Sequence, residues 1–65
     1  MKSKLTPRET ETLDLLAEGL YYKEVAHKMS ITEGNVRQKA HTSYQKLGAS
    51  NRTEAINKYR RTNES

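Results

Sequence analysis

Between Thr32 and Leu47 the chain reads TEGNVRQKAHTSYQKL, and the side chains there that can do chemistry are hydrogen-bond donors and acceptors rather than nucleophiles. With successive residues about 100° apart on a helix, Gly34, Gln38, His41, Thr42 and Gln45 share one face. Arg37 flanks that face on one side and Asn35, Lys39 and Lys46 flank it on the other. No acid follows Glu33 until Glu54, so nothing on this face repels a polyanion. Amides, an imidazole and cations without a carboxylate suit a helix lying in a DNA major groove, between neutral base edges and charged phosphates. Any solvated helix also has a polar outer face, so the rest of the chain has to decide. Catalysis finds no support. His27 and His41 stand 14 residues apart, there is no Cys, and there is no serine elbow or glycine-rich phosphate loop. No nucleophile–base pair, metal set or cofactor site can be nominated, and His27 reads as a solvated helix residue.

The elements that must hold this face can be read from apolar spacing and helix punctuation. Val36, Ala40, Tyr44 and Leu47 form an inner seam on the same stretch, Thr32 is a good N-cap, Glu33 suits the positive end of the helix dipole, and Gly48 is a stop. This predicts a helix over 33–47. Upstream, Thr6, Pro7 and Glu9 compose a capping box with proline at the first helical position. Leu13, Leu16, Ala17 and Leu20 give the inward stripe and Gly19 the termination, for a helix over about 7–18. Tyr22, Val25, Ala26 and Met29 mark a short helix over about 22–29, whose start is poorly capped by Tyr21 and is expected to lean on packing. Ser30 and Ile31 turn the chain into the basic helix, giving a helix-turn-helix pattern. Beyond Gly48, Asn51 and Glu54 form a second capping box, and Ala55, Ile56 and Tyr59 give a fourth helix, over about 51–61, an apolar face. Its other stripe is Thr53, Asn57 and Arg60. Residues 1–4 and 62–65 are expected to be mobile. The expected fold is all-α, a single compact four-helix bundle.

Composition narrows the function further. A chain of 65 residues that is 32% hydrophobic, with no Trp, Phe or Cys, can bury only a small aliphatic core and offers no large cleft. Charge is divided unevenly: residues 1–34 hold five Lys and Arg against six Asp and Glu, residues 35–61 seven against one. That asymmetry points to an acidic partner. No apolar run reaches membrane-spanning length and no signal-peptide pattern is present, so no membrane partner and a cytoplasmic location are expected.

Leu5-Thr6-Pro7-Arg8-Glu9, Gly19-Leu20, Lys23-Glu24-Val25-Ala26, Val36-Arg37, Lys46-Leu47-Gly48 and Asn51-Arg52-Thr53-Glu54-Ala55 together give the chain a close resemblance to the C-terminal DNA-binding domain of the LuxR/FixJ family of bacterial transcription regulators. It extends from Leu5 to about Tyr59. The resemblance implies four helices, the third in the major groove of double-stranded DNA, and dimerisation on DNA through the fourth. By position it assigns Arg37, Gln38 and His41 to base edges. Lys23, Thr32, Asn35, Lys39 and Lys46 are expected to contact phosphate. Thr53, Ile56, Asn57 and Arg60 would form a weak dimer contact. Tyr22 reads as core, and the more open Tyr21 as able to touch the DNA backbone.

Several positions depart from the family pattern. Asn35 replaces the usual Thr, Lys39 the usual His, Ser43 an aliphatic residue, and Tyr21 a Ser or Thr. Ala40 and Ser43 make the inner face of the third helix small, and Gly34 costs that helix about 1 kcal/mol relative to Ala, so a marginally stable domain is expected. The stretches Tyr22–Ala26 and Ile31–Arg37 also resemble region 4 of bacterial sigma factors, but a separately capped fourth helix favours the LuxR type. An adaptor that binds RNA polymerase or another regulator is the remaining alternative. Nothing in the chain senses a signal or takes a small-molecule ligand. It reads either as the output domain of a larger regulator or as a small regulator by itself.

Overall fold

The computed structural model describes residues 4–64, with side chains over 4–61. Its elements in chain order are α1 (Pro7–Ala17), α2 (Tyr22–Met29), α3 (Glu33–Leu47) and α4 (Arg52–Glu64), with no strand among the described residues. Each boundary follows from local hydrogen bonding. At α1 the Thr6 hydroxyl accepts the Glu9 N–H at 3.1 Å and the Glu9 carboxylate accepts the Thr6 N–H at 2.9 Å, the reciprocal box that the sequence predicts. The helix stops at Ala17, one residue before the predicted end, and Gly19 takes φ +91°, a conformation that costs a residue bearing Cβ.

The start of α2 differs from expectation in its cause. Tyr21 is 74% exposed and contributes no packing that could anchor the helix. Instead the Glu24 carboxylate, one turn on, accepts the Tyr21 N–H at 2.8 Å, which is the acidic half of a capping box without its hydroxyl half. At the other end Ser30 adopts the left-handed conformation, with φ 58° and ψ 43°. The Ile31 N–H then reaches back to the Ala26 carbonyl at 3.0 Å. This closed turn aims α3.

Around α4 the second capping box is displaced by one residue. Asn51 Oδ1 accepts the Glu54 N–H at 2.9 Å as predicted, but the Glu54 carboxylate accepts from Ser50 N–H at 2.6 Å rather than from Asn51. The helix continues to Glu64, past the predicted end at 61, because Arg61-Thr62-Asn63-Glu64 contains neither Gly nor Pro to stop it. Residues 62–64 thus belong to α4, while Met1–Ser3 and Ser65 lie outside the described residues. The Lys4 carbonyl accepts from Lys46 Nζ at 3.2 Å.

The core lies between α1 and α3, each of which packs on all three other helices, whereas α2 and α4 do not meet. Leu13, Leu16, Val25, Val36, Ala40 and Ala55 are fully buried, and Leu15, Leu20, Ile31, Tyr44 and Ile56 cover them from the rim. Thr12 and Ser43 are buried too, and neither hydroxyl is orphaned: each donates to the carbonyl four residues earlier, at 2.8 and 2.6 Å.

Polar ties supplement this small core. Arg52 Nη2 donates to the carbonyls of Leu16 and Leu20, both at 2.8 Å, and Arg60 Nη2 donates to that of Ala17 at 3.1 Å. Two cations from α4 thus sit on the negative end of α1, where they also satisfy carbonyls that the helix cannot. The Tyr59 hydroxyl donates to Asp14 Oδ1 at 2.5 Å beside them. Replacing Arg52 with Met keeps the aliphatic stem but orphans two partly buried carbonyls, and should lower stability by about 2 kcal/mol. Urea unfolding would show this as an earlier midpoint at unchanged m-value.

Candidate nucleic-acid interface

With Val36, Ala40 and Ser43 fixed in the core, the opposite side of α3 is turned outward. Glu33, Gly34, Asn35, Arg37, Gln38, His41 and Gln45 are exposed, and Lys39 and Thr42 are half-buried on the flanks. Thr32 caps this helix as predicted, its hydroxyl accepting the Asn35 N–H at 3.1 Å. A Cβ added at Gly34 would meet nothing closer than Thr32 Oγ1 at 4.0 Å, so the surface is open above the first turn. Gln38, Lys39 and His41 have no side-chain partner among the described residues and present their donors and acceptors to whatever approaches.

Arg37 is different. Its Nη2 donates to Glu33 Oε2 at 2.9 Å, and its guanidinium carbon lies 5.4 Å from the centre of the Tyr22 ring, within cation–π range. The Tyr22 hydroxyl is in turn 3.4 Å from that of Tyr44, which burial, and then this hydrogen bond, keep a neutral phenol far above the ordinary tyrosine range. A ladder of contacts therefore runs from the inner side of α3 through the first residue of α2 to the outer side of α3. The sequence showed Tyr22 as core and Glu33 as a dipole partner. The (i, i+4) spacing of Glu33 and Arg37 was the available signal for the ion pair, whereas the Tyr22 contact depends on how α2 meets α3.

The predicted phosphate-facing residues do not all fall together. Thr32, Asn35 and Lys39 lie on α3 or its cap, and Lys23 is exposed on α2. Lys46 has turned toward α1: its Nζ donates to Glu9 Oε1 at 2.8 Å, with the Glu9 side chain 9% exposed. Burial raises the Glu9 pKa, but the Lys46 hydrogen bond and charge and the Thr6 hydrogen bonds outweigh it and hold the carboxyl below its ordinary value. On α4, Thr53 and Asn57 are exposed as expected, while Ile56 packs against the core and Arg60 is engaged with Ala17. Thr53, Asn57 and Arg60 are thus exposed together, with Ile56 half-buried beside them. No group of three or more His, Cys, Asp or Glu side chains is placed to hold a metal among the described residues, and no described helix is long and apolar enough to cross a membrane.

Residues 3–59 match the family described as bacterial regulatory proteins, luxR family. The transcriptional regulatory protein DesR of Bacillus subtilis (strain 168) is 46% identical over 52 residues, covering 80% of this chain and 26% of that protein. The spore germination protein GerE of the same organism is 38% identical over 55 residues, which are 85% of this chain and 74% of GerE. The solved structure of the transcription factor GerE superposes with a TM-score of 0.88 at 36% identity, covering 97% of this chain and 94% of that one. The crystal structure of the response regulator ChrA, from a heme-sensing two-component system, gives 0.90 at 36% identity, over 97% of this chain and 31% of ChrA. The chain spans about a quarter of the length of the first curated relatives it matches.

The lowered pKa of Glu9 has a testable sign. A carboxyl depressed in the folded state contributes stability that is complete above its ordinary value of 4.5 and is lost as pH falls below that, through the lowered value. Glu9→Gln should therefore cost stability near neutrality and show a shallower acid decline than the parent. Urea midpoints of both proteins across roughly pH 3 to 7 would measure the two slopes; parallel curves would remove Glu9 as a contributor to the acid limb.

Proposed function

The chain belongs to the luxR family of bacterial regulatory proteins, whose work is DNA-bound control of transcription, and from that premise we propose that α3 enters the major groove of double-stranded DNA and reads sequence there. The observation that carries this reading is the outer face of α3. Past Glu33 it offers Gln38, His41, Lys39 and Asn35 with no acid among them, on a helix whose other side is locked into the core. A rigid reader loses little conformational freedom on binding, and the donor and acceptor pattern of the major groove distinguishes all four base pairs.

Roles follow from chemistry and position. Gln38 can pair with adenine through its amide, and Arg37 with guanine through two guanidinium N–H groups. His41, one turn further along, offers a ring nitrogen to the same groove. Asn35, Lys39, Lys23 and the Thr32 cap serve the phosphates that fix register. Lys46 stands outside this set because its ammonium stabilises the fold through Glu9. Tyr21, exposed beside Lys23, can reach the sugar-phosphate backbone. RNA polymerase, as a second partner, would have to use the faces of α2 and α4 left open once α3 is in the groove. A regulator bound to bacterial DNA would work in the cytoplasm.

The test combines salt and substitution. With about 3 to 4 phosphate contacts per monomer, log affinity should fall against log salt with a slope near −0.9 per contact. Lys39→Ala should weaken binding to preferred and random duplexes alike and reduce that slope, whereas Gln38→Ala should cost about 1 to 3 kcal/mol on the preferred site and less elsewhere. A flat salt dependence would remove DNA as the partner.

Pairing through α4 is proposed to close only on DNA. Thr53 and Asn57 form a small polar patch, and a contact of that kind falls well short of the roughly 1,200 Å² that stable interfaces bury. Adjacent half-sites raise the effective concentration of one monomer for the other, so a weak contact can then form. Sedimentation should find a monomer in free solution, and gel shifts on paired half-sites should show cooperativity that Asn57→Asp removes while single-site affinity stays the same.

A further inference from the structure

We infer that Glu33 is a specificity-determining residue: its carboxylate fixes the pose of the Arg37 guanidinium at the leading turn of α3 and keeps that cation from acting as an indiscriminate phosphate contact. The inference rests on α3 being the groove-reading helix. Glu33 is the one acid on α3, whose outer face otherwise suits a polyanion, and its position calls for an explanation because it repels the phosphates that its neighbours attract. The helix dipole, which favours an acid in this first turn, accounts for the charge but not for its pairing with Arg37. Thr32 already takes the Asn35 N–H, and the Glu33 carboxylate accepts from Arg37 Nη2 at 2.9 Å. Stability does not account for the pairing either, since an exposed pair at this spacing contributes little.

What the pair does is set a geometry. A side chain on a helix leans toward the N-terminus, so the Arg37 guanidinium hangs over the turn that contains Glu33, the end of a recognition helix that meets base edges first. Glu33 grips it at Nη2 and the Tyr22 ring backs it at 5.4 Å, so an arginine whose side chain is 64% exposed is nevertheless held from two sides. The guanidinium fork has five N–H donors, and those not used by Glu33 still suffice for the two acceptors of guanine, O6 and N7. A base edge is neutral and approaches this pair without repulsion. A phosphate must compete with a carboxylate for the same cation and is repelled by it. The pair therefore favours base over backbone, and it does so only while both members are present.

Affinities for a selected duplex and for a random duplex, each across a salt series, test this with Glu33→Gln and Glu33→Asp in the parent and in an Arg37→Ala background. Glu33→Gln removes the charge, so random-DNA affinity should rise several-fold, its salt slope should steepen by about 0.9, and the ratio of selected to random affinity should fall about tenfold. Glu33→Asp keeps the charge but not the reach: random affinity should stay low while the selected duplex is bound more weakly. In the Arg37→Ala background both substitutions should leave the ratio unchanged, since Glu33 then has nothing to position. Mere destabilisation cannot imitate this pattern, because partial unfolding lowers both affinities by the same factor. An unchanged ratio for Glu33→Gln, or an equal fall in the Arg37→Ala background, would overturn the role of Glu33. Failure of the parent protein to bind either duplex would overturn the functional reading instead.

Discussion

Burial of Val36, Ala40 and Ser43 is the contact on which the other features of this molecule depend. These three residues stand one turn apart along α3 and are small, so the helix lies close against α1 and α2, and the closeness compensates for their size. With so few apolar side chains available, a recognition element that was only an appendage would leave the rest without a centre. The helix that presents the outer face is therefore also the helix around which the core forms, and its orientation is fixed by the same packing that makes the chain fold.

A core of this size leaves helix ends close to the interior, and their unpaired carbonyls have to be satisfied by something. Arg52 and Arg60 do this for the end of α1, and Lys58 Nζ, at 2.7 Å, does it for the Gly48 carbonyl at the end of α3. These cations belong to the basic half of the chain, where they count toward its net charge as much as those on α3 do. Seven Lys and Arg in residues 35–61 look like one basic surface in the sequence, yet several of them are structural in effect. Lys46 is the clearest case, since its ammonium bonds to Glu9 and to the Lys4 carbonyl. What remains for a polyanion is fewer cations, and they are arranged around α3 and the start of α2.

The ladder from Tyr44 through Tyr22 to Arg37 links the two roles of α3. Tyr22 begins α2, and its ring is held between a hydroxyl from the inner side of α3 and a guanidinium on the outer side. A shift of α2 against α3 would thus move the support of Arg37 as well as the core. The left-handed Ser30 and the Schellman closure at Ile31 oppose such a shift by fixing the turn between the two helices.

The sequence by itself determined the helices and the side of α3 that faces out. Both depend on interactions within a few residues: Thr6 with Glu9, Thr32 with the Asn35 N–H, glycines 19 and 48 at positive φ, and apolar residues spaced one turn apart. It also carried the family resemblance, because the landmark strings are local as well. Tertiary structure alone decided which charged side chains are free. Lys46 and Glu9 are 37 residues apart, Arg52 and Leu16 are 36, and Tyr22 meets Arg37 only because α2 packs across the base of α3. Spacing along one helix predicts which way a side chain points but not what another helix brings to meet it. A long flexible cation takes whichever carbonyl or carboxylate the packing delivers within reach.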